Sequence, residues 1–181
     1  MDLIERYQGA LLGLPVGDAL GAPLESKHPG SFEPIDDMIG GGTLDLKPGE
    51  WTDDTSQALC LAESLIVRKS FDPTDQLERY LKWFKTGYLS SRNQSFSIGP
   101  TTTGSLKEFE ITKKPIRQKN ESAATNGSLM RLAPVPLAFA KNPEIAIERS
   151  GDSSRTTHNS KIAVDACRYM GALIVGTLKG T

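Results

Sequence analysis

Apolar residues in this chain recur three and four positions apart, and no segment alternates apolar with polar side chains over the length of a strand. Spacing of three and four places apolar side chains on one face of an α-helix, whereas strict alternation is typical of a half-buried strand. The helical pattern is clearest in stretches that begin near Leu3, Ala58, Leu77 and Ile162. The sequence therefore predicts an all-α domain whose helices are joined by polar loops.

Length and charge limit the classes of protein that this chain can belong to. Its 181 residues suffice for one domain with a hydrophobic core, which we expect over 1–181. The net charge of −1 indicates no general attraction to nucleic acid or to an anionic membrane. We also expect no membrane span and no secretion signal. Cys60 and Cys167 lie in apolar helical patterns, as buried reduced thiols do, which predicts a cytoplasmic protein.

The segment Trp51–Thr55 gathers two carboxylates and two hydroxyls at the predicted start of a helix. Asp53 and Asp54 lie between Thr52 and Thr55, and an apolar helical run follows. Oxygen ligands of this kind suit hard cations such as Mg²⁺. The same residue types are also ordinary helix caps, because their oxygens accept the free N–H groups of the first turn. Taken alone, the segment favours a cap.

The first predicted helix has one face without side chains, because glycine recurs at every fourth position: Gly9, Gly13, Gly17 and Gly21. Such a face suggests that another helix or a ligand approaches the backbone closely. Pro15 predicts a kink in this helix. Asp18 lies on its apolar stripe, where a carboxylate needs a partner, and Glu25 follows on a loop. We expect this helix to pack beside the helix that begins at Asp53, which brings Glu25 close to Asp53 and Asp54.

Helix-start signals divide the rest of the chain after a long loop over residues 27–50. Further helices are predicted from Asp72–Pro73, from about Thr102 to Ile111, from Asn126, from Asn142–Pro143, and from about Ser160 to Gly180. Asn126 as a cap predicts a helix N-terminus that is ready to bind an anion. Pro134 and Pro136 predict that this helix is bent or short.

Four blocks of the sequence together resemble the ADP-ribosylglycohydrolase family, of the type that activates dinitrogenase reductase. The blocks are Gly9–Gly13 with Gly17–Glu25, Trp51–Thr55, Asn126–Arg131, and Thr157–His158. Each block alone is a weak signal, whereas four in this order over most of the chain are specific. The resemblance implies a compact orthogonal bundle of helices and a two-metal centre with Mg²⁺ or Mn²⁺. It also implies a hydrolase that removes ADP-ribose from modified protein side chains or small molecules.

The resemblance implies a role for individual residues. Thr52, Asp53 and Asp54 would ligate the metals, with Glu25 beside them to position or activate the attacking water. Asp18 would support the Glu25 loop from behind. The residues expected to line the ADP-ribose groove are Asn126, Gly127, Ser128, Met130 and Arg131, with His158 beside the distal ribose or the phosphates.

Two positions depart from the family pattern. Family members close the metal site with a second acidic motif, Asp-x-Asp-Thr, whereas Asp165 is the only acid after His158 here and lies in a predicted helix. Ser97 stands where bacterial relatives commonly have Asp before Ile-Gly. We therefore consider a hydrolase portion that a C-terminal segment or a second chain completes. The alternatives are a catalytically incomplete module that binds ADP-ribose or a related nucleotide, and a structural bundle in which the Asp pair is a cap.

Overall fold

The computed structural model describes residues 2–180, and in this range seven α-helices and three short 3-10 turns are joined by loops. The α-helices are α1 Leu3–Gly21, α2 Asp53–Arg68, α3 Pro73–Thr86, α4 Pro100–Thr112, α5 Pro134–Ala138, α6 Pro143–Arg155 and α7 Lys161–Lys179. The 3-10 turns are Ala22–Leu24, Glu121–Ala123 and Asn126–Ser128. Within the described range β-structure is limited to one isolated bridge between Gly41 and Leu46. The predicted all-α fold is confirmed.

Local signals in the sequence fix most helix ends. Asp72 accepts the backbone N–H groups of Thr74 and Asp75, both at 3.0 Å, with proline at the first helical position of α3. Asn142 and Ser160 cap α6 and α7 in the same manner. At the other end of α7, Gly180 adopts φ 80°, a left-handed conformation that glycine accepts without steric cost. These predicted boundaries are confirmed because each depends on residues close together in the chain.

The hydrophobic core lies where α2 and α3 meet α4, α5 and α7. Its buried members are Cys60, Leu61, Leu65, Leu77, Tyr80, Trp83, Leu106, Phe109, Leu132, Val135 and Cys167. Full burial of a side chain of this size stabilises the fold by roughly 1.5–3 kcal/mol. Both cysteines are free thiols, as predicted. No helix within residues 2–180 is long and apolar enough to cross a membrane.

Helix α1 packs less completely than its apolar stripe suggests. It runs through Pro15 without interruption, and among its residues only Ala19 is buried, while Leu3 is 59% exposed. A Cβ at any of its four stripe glycines would find nothing within 4 Å among the described residues. No helix among the described residues approaches the glycine face, and a ligand on that face stays a prediction. The predicted packing of α1 beside α2 is confirmed, and α1 also contacts α7.

The helix predicted to begin at Asn126 is also wrong. The chain makes a single 3-10 turn there, Asn126–Ser128, and α-helix returns only at Pro134. Thr125, not Asn126, occupies the cap position of the turn. Helix α5 has five residues, as the prolines predict, and Pro134 and Pro136 in its first turn prevent the helix from extending back toward Asn126.

Candidate active site

The N-terminus of α2 is capped by an aspartate from α1. Asp18 Oδ2 accepts the N–H groups of Thr52 at 2.9 Å and Thr55 at 3.1 Å, and the Thr55 hydroxyl at 2.7 Å. Asp18 Oδ1 accepts the Thr52 hydroxyl at 2.9 Å. Because these bonds satisfy free N–H groups of the first turn, Asp53 and Asp54 are not needed as caps. The side chain of Asp18 thus holds the start of α2, and its support of the Glu25 loop stays a prediction.

The carboxylates of Asp53 and Asp54 at the start of α2 are therefore free to contact a ligand. Burial, and then the charge of Asp54, raises the pKa of Asp53 to about 8. Burial, and then the charge of Asp18, raises the pKa of Asp54 to about 6, and Glu25 adds to this shift. Like charges gathered in a poorly solvated site favour protonation unless a cation is present. The cluster is accordingly suited to binding positive charge.

Glu25 lies at the rim of the same cluster. It is exposed after the 3-10 turn Ala22–Leu24, and it lines one cavity with Asp53 and an adjoining groove with Asp54. Gly42 fixes the turn from the other side, because at its φ of 72° a Cβ would lie 2.7 Å from the Pro23 carbonyl oxygen. The expected proximity of Glu25 to Asp53 and Asp54 is confirmed. We call Glu25, Asp53 and Asp54, with Asp18 behind them, the acidic wall.

A cavity of about 230 Å³ separates the acidic wall from a second wall without carboxylates. This neutral wall consists of Thr101, Thr102, Thr125, Asn126, Gly127, Met130 and His158. Helix α4 begins in the neutral wall, and its cap residue Gly99 offers no side chain to its first N–H groups. Those N–H groups lack partners inside the helix, so this terminus can receive an anion. The anion-ready helix N-terminus predicted at Asn126 is wrong, because α-helix does not begin there.

His158 presents its imidazole edge to the cavity. Its Nδ1 lies 2.8 Å from Thr157 Oγ1, and its Nε2 lies 3.0 Å from Thr125 Oγ1. Burial, followed by the positive charges of Arg131 and Arg117, lowers the pKa of His158 to about 3. A Cβ at Gly127 would lie 2.8 Å from His158 Cε1, so the imidazole occupies space that only glycine leaves open. The site therefore holds a neutral histidine.

Two residues expected in the ADP-ribose groove lie behind the neutral wall. Ser128 is buried, with its hydroxyl 2.8 Å from that of Ser154. Arg131 is also fully buried, and its guanidinium stacks 4.4 Å from the centre of the Tyr80 ring. The side chains of Ser128 and Arg131 are both buried, while Asn126, Gly127 and Met130 line the cavity. Ser128 and Arg131 therefore support the wall and do not line it.

The acidic wall has the donor chemistry of a hard cation site. Thr52, Asp53 and Asp54 offer hydroxyl and carboxylate oxygens, as predicted from the sequence. Across residues 2–180, however, His, Cys, Asp and Glu side chains form no group of three or more that could hold a metal ion. Mg²⁺ keeps several waters and often takes only one or two protein carboxylates. The residues thus fit a cation in chemical type and supply part of its ligands.

Sequence reasoning did not single out several polar residues of the cavity. Thr101 and Thr125 line it, and Gln57 donates to Asp53 Oδ2 at 3.3 Å from inside α2. Gln57 could have been found, because it follows Asp53 by four positions on a predicted helix.

Ser97, noted in the sequence as a departure from the family pattern, lines the cavity, where it hydrogen-bonds Asp53 and favours the charged form of Asp53. It adopts φ 63°, in the left-handed region that a serine rarely occupies.

Comparison with known proteins places the chain in a family. The ADP-ribosylglycohydrolase profile matches residues 1–181, and the chain belongs to that family. ADP-ribosylarginine hydrolase Tri1 of Serratia proteamaculans is 34% identical over 98% of this chain and 49% of its own length. ADP-ribosyl-[dinitrogen reductase] glycohydrolase of Rhodospirillum rubrum is 32% identical over 94% of this chain and 57% of its own length.

A solved structure supports the same relationship. The ADP-ribosylglycohydrolase-related protein complex superimposes with a TM-score of 0.85 at 42% identity, over 98% of this chain and 57% of that chain. The chain therefore spans about half the length of the curated relatives it matches.

Proposed function

We propose that this chain forms the ligand cavity and part of the cation site of a metal-dependent hydrolase that removes ADP-ribose from protein side chains or small molecules. The observation that carries the proposal is the shared cavity, in which Glu25 and Asp53 face Asn126, Gly127 and His158. Family membership supports the reaction class. The relatives named for ADP-ribosylarginine and for dinitrogen reductase make arginine-linked ADP-ribose the first substrate to test.

The neutral wall suits the phosphate end of such a ligand. The α4 N-terminus offers backbone N–H groups without a side-chain cap. Phosphate oxygens bind readily at helix N-termini, where N–H groups and the helix dipole both favour negative charge. This mode of binding needs no basic patch, in agreement with the net charge of −1.

The acidic wall suits the scissile bond. A bound divalent cation would orient water and stabilise charge on the reacting sugar, with Thr52, Asp53 and Asp54 among its ligands. Glu25, exposed at the rim, is placed to accept a proton from the attacking water. The water oxygen then bonds to the anomeric carbon, the bond to the acceptor breaks, and the acceptor leaves with a proton. Asp18 keeps the start of α2 in position for this step.

Binding of ADP-ribose without turnover is the second candidate. The incomplete set of acidic ligands favours it, since the described residues lack a cluster of three or more that could hold an ion. Under this alternative the same cavity binds its ligand, and a C-terminal segment or a second chain is needed for hydrolysis.

Release of free ADP-ribose from an ADP-ribosylated arginine peptide distinguishes the candidates. We expect release by the chain alone to be far below an enzyme-like rate, to depend on Mg²⁺ or Mn²⁺, and to rise when a C-terminal segment with an Asp-x-Asp-Thr motif is added. Binding of ADP-ribose without release under any of these conditions would support the second candidate. Robust release in EDTA would refute the metal-dependent mechanism.

A further inference from the structure

Arg131 lies at the centre of a hydrogen-bond chain that reaches both walls of the cavity. Its Nη1 donates to Gln57 Oε1 at 2.6 Å, and its Nη2 donates to Thr157 Oγ1 at 2.6 Å. Its side chain is completely buried. A guanidinium can only donate hydrogen bonds, so both atoms that it contacts must accept.

The branch through Thr157 determines which nitrogen of His158 carries the proton. Thr157 Oγ1 accepts from Arg131, and the acceptor within reach of its own hydroxyl proton is His158 Nδ1 at 2.8 Å. A neutral imidazole has one donor and one acceptor nitrogen, so an accepting Nδ1 puts the proton on Nε2. Nε2–H then donates to Thr125 Oγ1 at 3.0 Å, whose hydroxyl lies 3.4 Å from Thr101 Oγ1.

The branch through Gln57 reaches the opposite wall. Because Arg131 donates to Gln57 Oε1, the amide nitrogen of Gln57 must point the other way, and it lies 3.3 Å from Asp53 Oδ2. One buried arginine thus directs an N–H group toward each wall. The direction of the Gln57 amide follows from the lack of an acceptor on Arg131, and the same lack leaves the Thr157 hydroxyl proton free to point to His158.

We propose that Arg131 is a positioning residue that sets the hydrogen-bond polarity of the cavity and holds His158 as the neutral tautomer protonated on Nε2. His158 is then a fixed donor to acceptor atoms at the neutral wall and does not act as a base. This deepens the proposed function, on which its relevance to a ligand rests. The tautomer is nevertheless a property of the free protein, so it can be tested whether or not the chain hydrolyses anything.

Nitrogen-15 NMR of the histidine side chains reads the tautomer directly. The chain has two histidines, and His28 is exposed, so a His28→Gln variant assigns the His158 signals without touching the cavity. In the unaltered protein we expect Nε2 to show a protonated-type shift and Nδ1 a non-protonated one. A proton found on Nδ1 would overturn the proposal.

Two matched variants test the link to Arg131. Thr157→Val removes the relaying hydroxyl, and we expect the ratio of tautomers to move about fivefold toward Nδ1–H, the effect of one ordinary hydrogen bond. Thr156→Val is the control, because that buried hydroxyl lies 3.5 Å from Arg131 Nη2 but donates to the Ser153 carbonyl. Its tautomer ratio should not change.

A second substitution covers the case in which Thr157→Val does not fold. Arg131→Lys keeps the charge but cannot bridge Gln57 and Thr157 with a planar fork, so the ratio should move in the same direction. Retention of the Nε2–H tautomer at the original ratio in a folded Thr157→Val or Arg131→Lys protein would show that Arg131 does not set it.

Discussion

The two walls of the cavity satisfy their polar groups in opposite ways. On the acidic wall, the charges of Asp18 and Glu25 raise the pKa of Asp54, and burial raises the pKa of Asp53 to about 8. On the neutral wall, His158 and Thr125 belong to a continuous chain of donors and acceptors. The polar groups of the neutral wall have hydrogen-bond partners before a ligand binds, whereas the carboxylates of the acidic wall are stabilised by a cation. We infer that the neutral wall is preorganised for the ligand and that the acidic wall depends on metal.

Loss of a carboxylate from the acidic wall should have the largest effect. In a form that releases ADP-ribose, Asp54→Asn should lower the rate by at least about a hundredfold, because misplaced groups at such centres cost this much. The variant should also lose any rise in melting temperature on addition of Mg²⁺. The release rate and the melting temperature are compared with those of Leu77→Ala, a control substitution in the hydrophobic core. Turnover retained by folded Asp54→Asn would remove the acidic wall from the reaction.

Leu77→Ala should lower the free energy of unfolding and leave both walls of the cavity unchanged. Leu77 is 1% exposed in the core, and truncation of such a side chain costs about 2–5 kcal/mol in the free energy of unfolding. Urea denaturation measures this cost. Ile111→Ala is the control, since Ile111 is 83% exposed and its truncation should stay within about 0.5 kcal/mol.

The neutral histidine predicts a dependence of stability on pH. The pKa of His158 is lowered from its ordinary value of 6.5 to about 3 in the folded chain. Between these two values the unfolded chain binds a proton at His158 and the folded chain does not. The contribution of His158 to the free energy of unfolding therefore falls by about 1–2 kcal/mol between pH 7 and pH 5, whereas the raised pKa values of Asp53 and Asp54 act in the opposite direction. Arg117 and Arg131 oppose protonation of His158, and the carboxyl groups of Asp53 and Glu25 face it across the cavity.

The difference in unfolding free energy between unaltered protein and His158→Gln, followed with pH, isolates this contribution. It should shrink as the pH falls from 7 to 5. A difference that is constant over this range would mean that His158 is as readily protonated in the folded chain as in the unfolded one.

Gly127→Ala should have a smaller effect, confined to the neutral wall. Its Cβ would lie 2.8 Å from His158 Cε1, so the imidazole must shift. We expect ADP-ribose binding to weaken about fivefold, roughly the effect of one disturbed hydrogen bond. Gly104→Ala in α4 is the matched control, because a Cβ there meets nothing within 4 Å. Calorimetric titration compares the two, and equal affinities would show that the ligand does not use His158.

Features that depend on neighbouring residues could be predicted from the sequence. The Asp72 cap of α3 and the Ser160 start of α7 are set within a few positions of the chain. The Trp51–Thr55 block likewise contributes residues to the acidic wall and the Asn126–Arg131 block to the neutral wall, because the residues of each block are close together in the chain. Their detailed roles could not be predicted, because these depend on long-range contacts. Asp18 was known to need a partner, but its bonds to Thr52 span 34 positions.

The placement of Arg131 shows the same limit. Its sequence block suggested a ligand contact, whereas its partner Gln57 lies 74 positions away and draws the guanidinium into the core. The open glycine face of α1 is a further case, since glycine spacing indicates where close approach is possible and not whether it occurs.

Calorimetric titration of the chain with ADP-ribose, in Mg²⁺ and then in EDTA, tests most directly whether the two walls serve one ligand. If a cation at the acidic wall tightens ADP-ribose binding, linkage requires that ADP-ribose tighten cation binding by the same factor. We predict tighter binding of ADP-ribose in Mg²⁺ and loss of that gain in Asp54→Asn, with the residual affinity unchanged. Equal affinity in Mg²⁺ and EDTA, or a gain that survives in Asp54→Asn, would contradict this account.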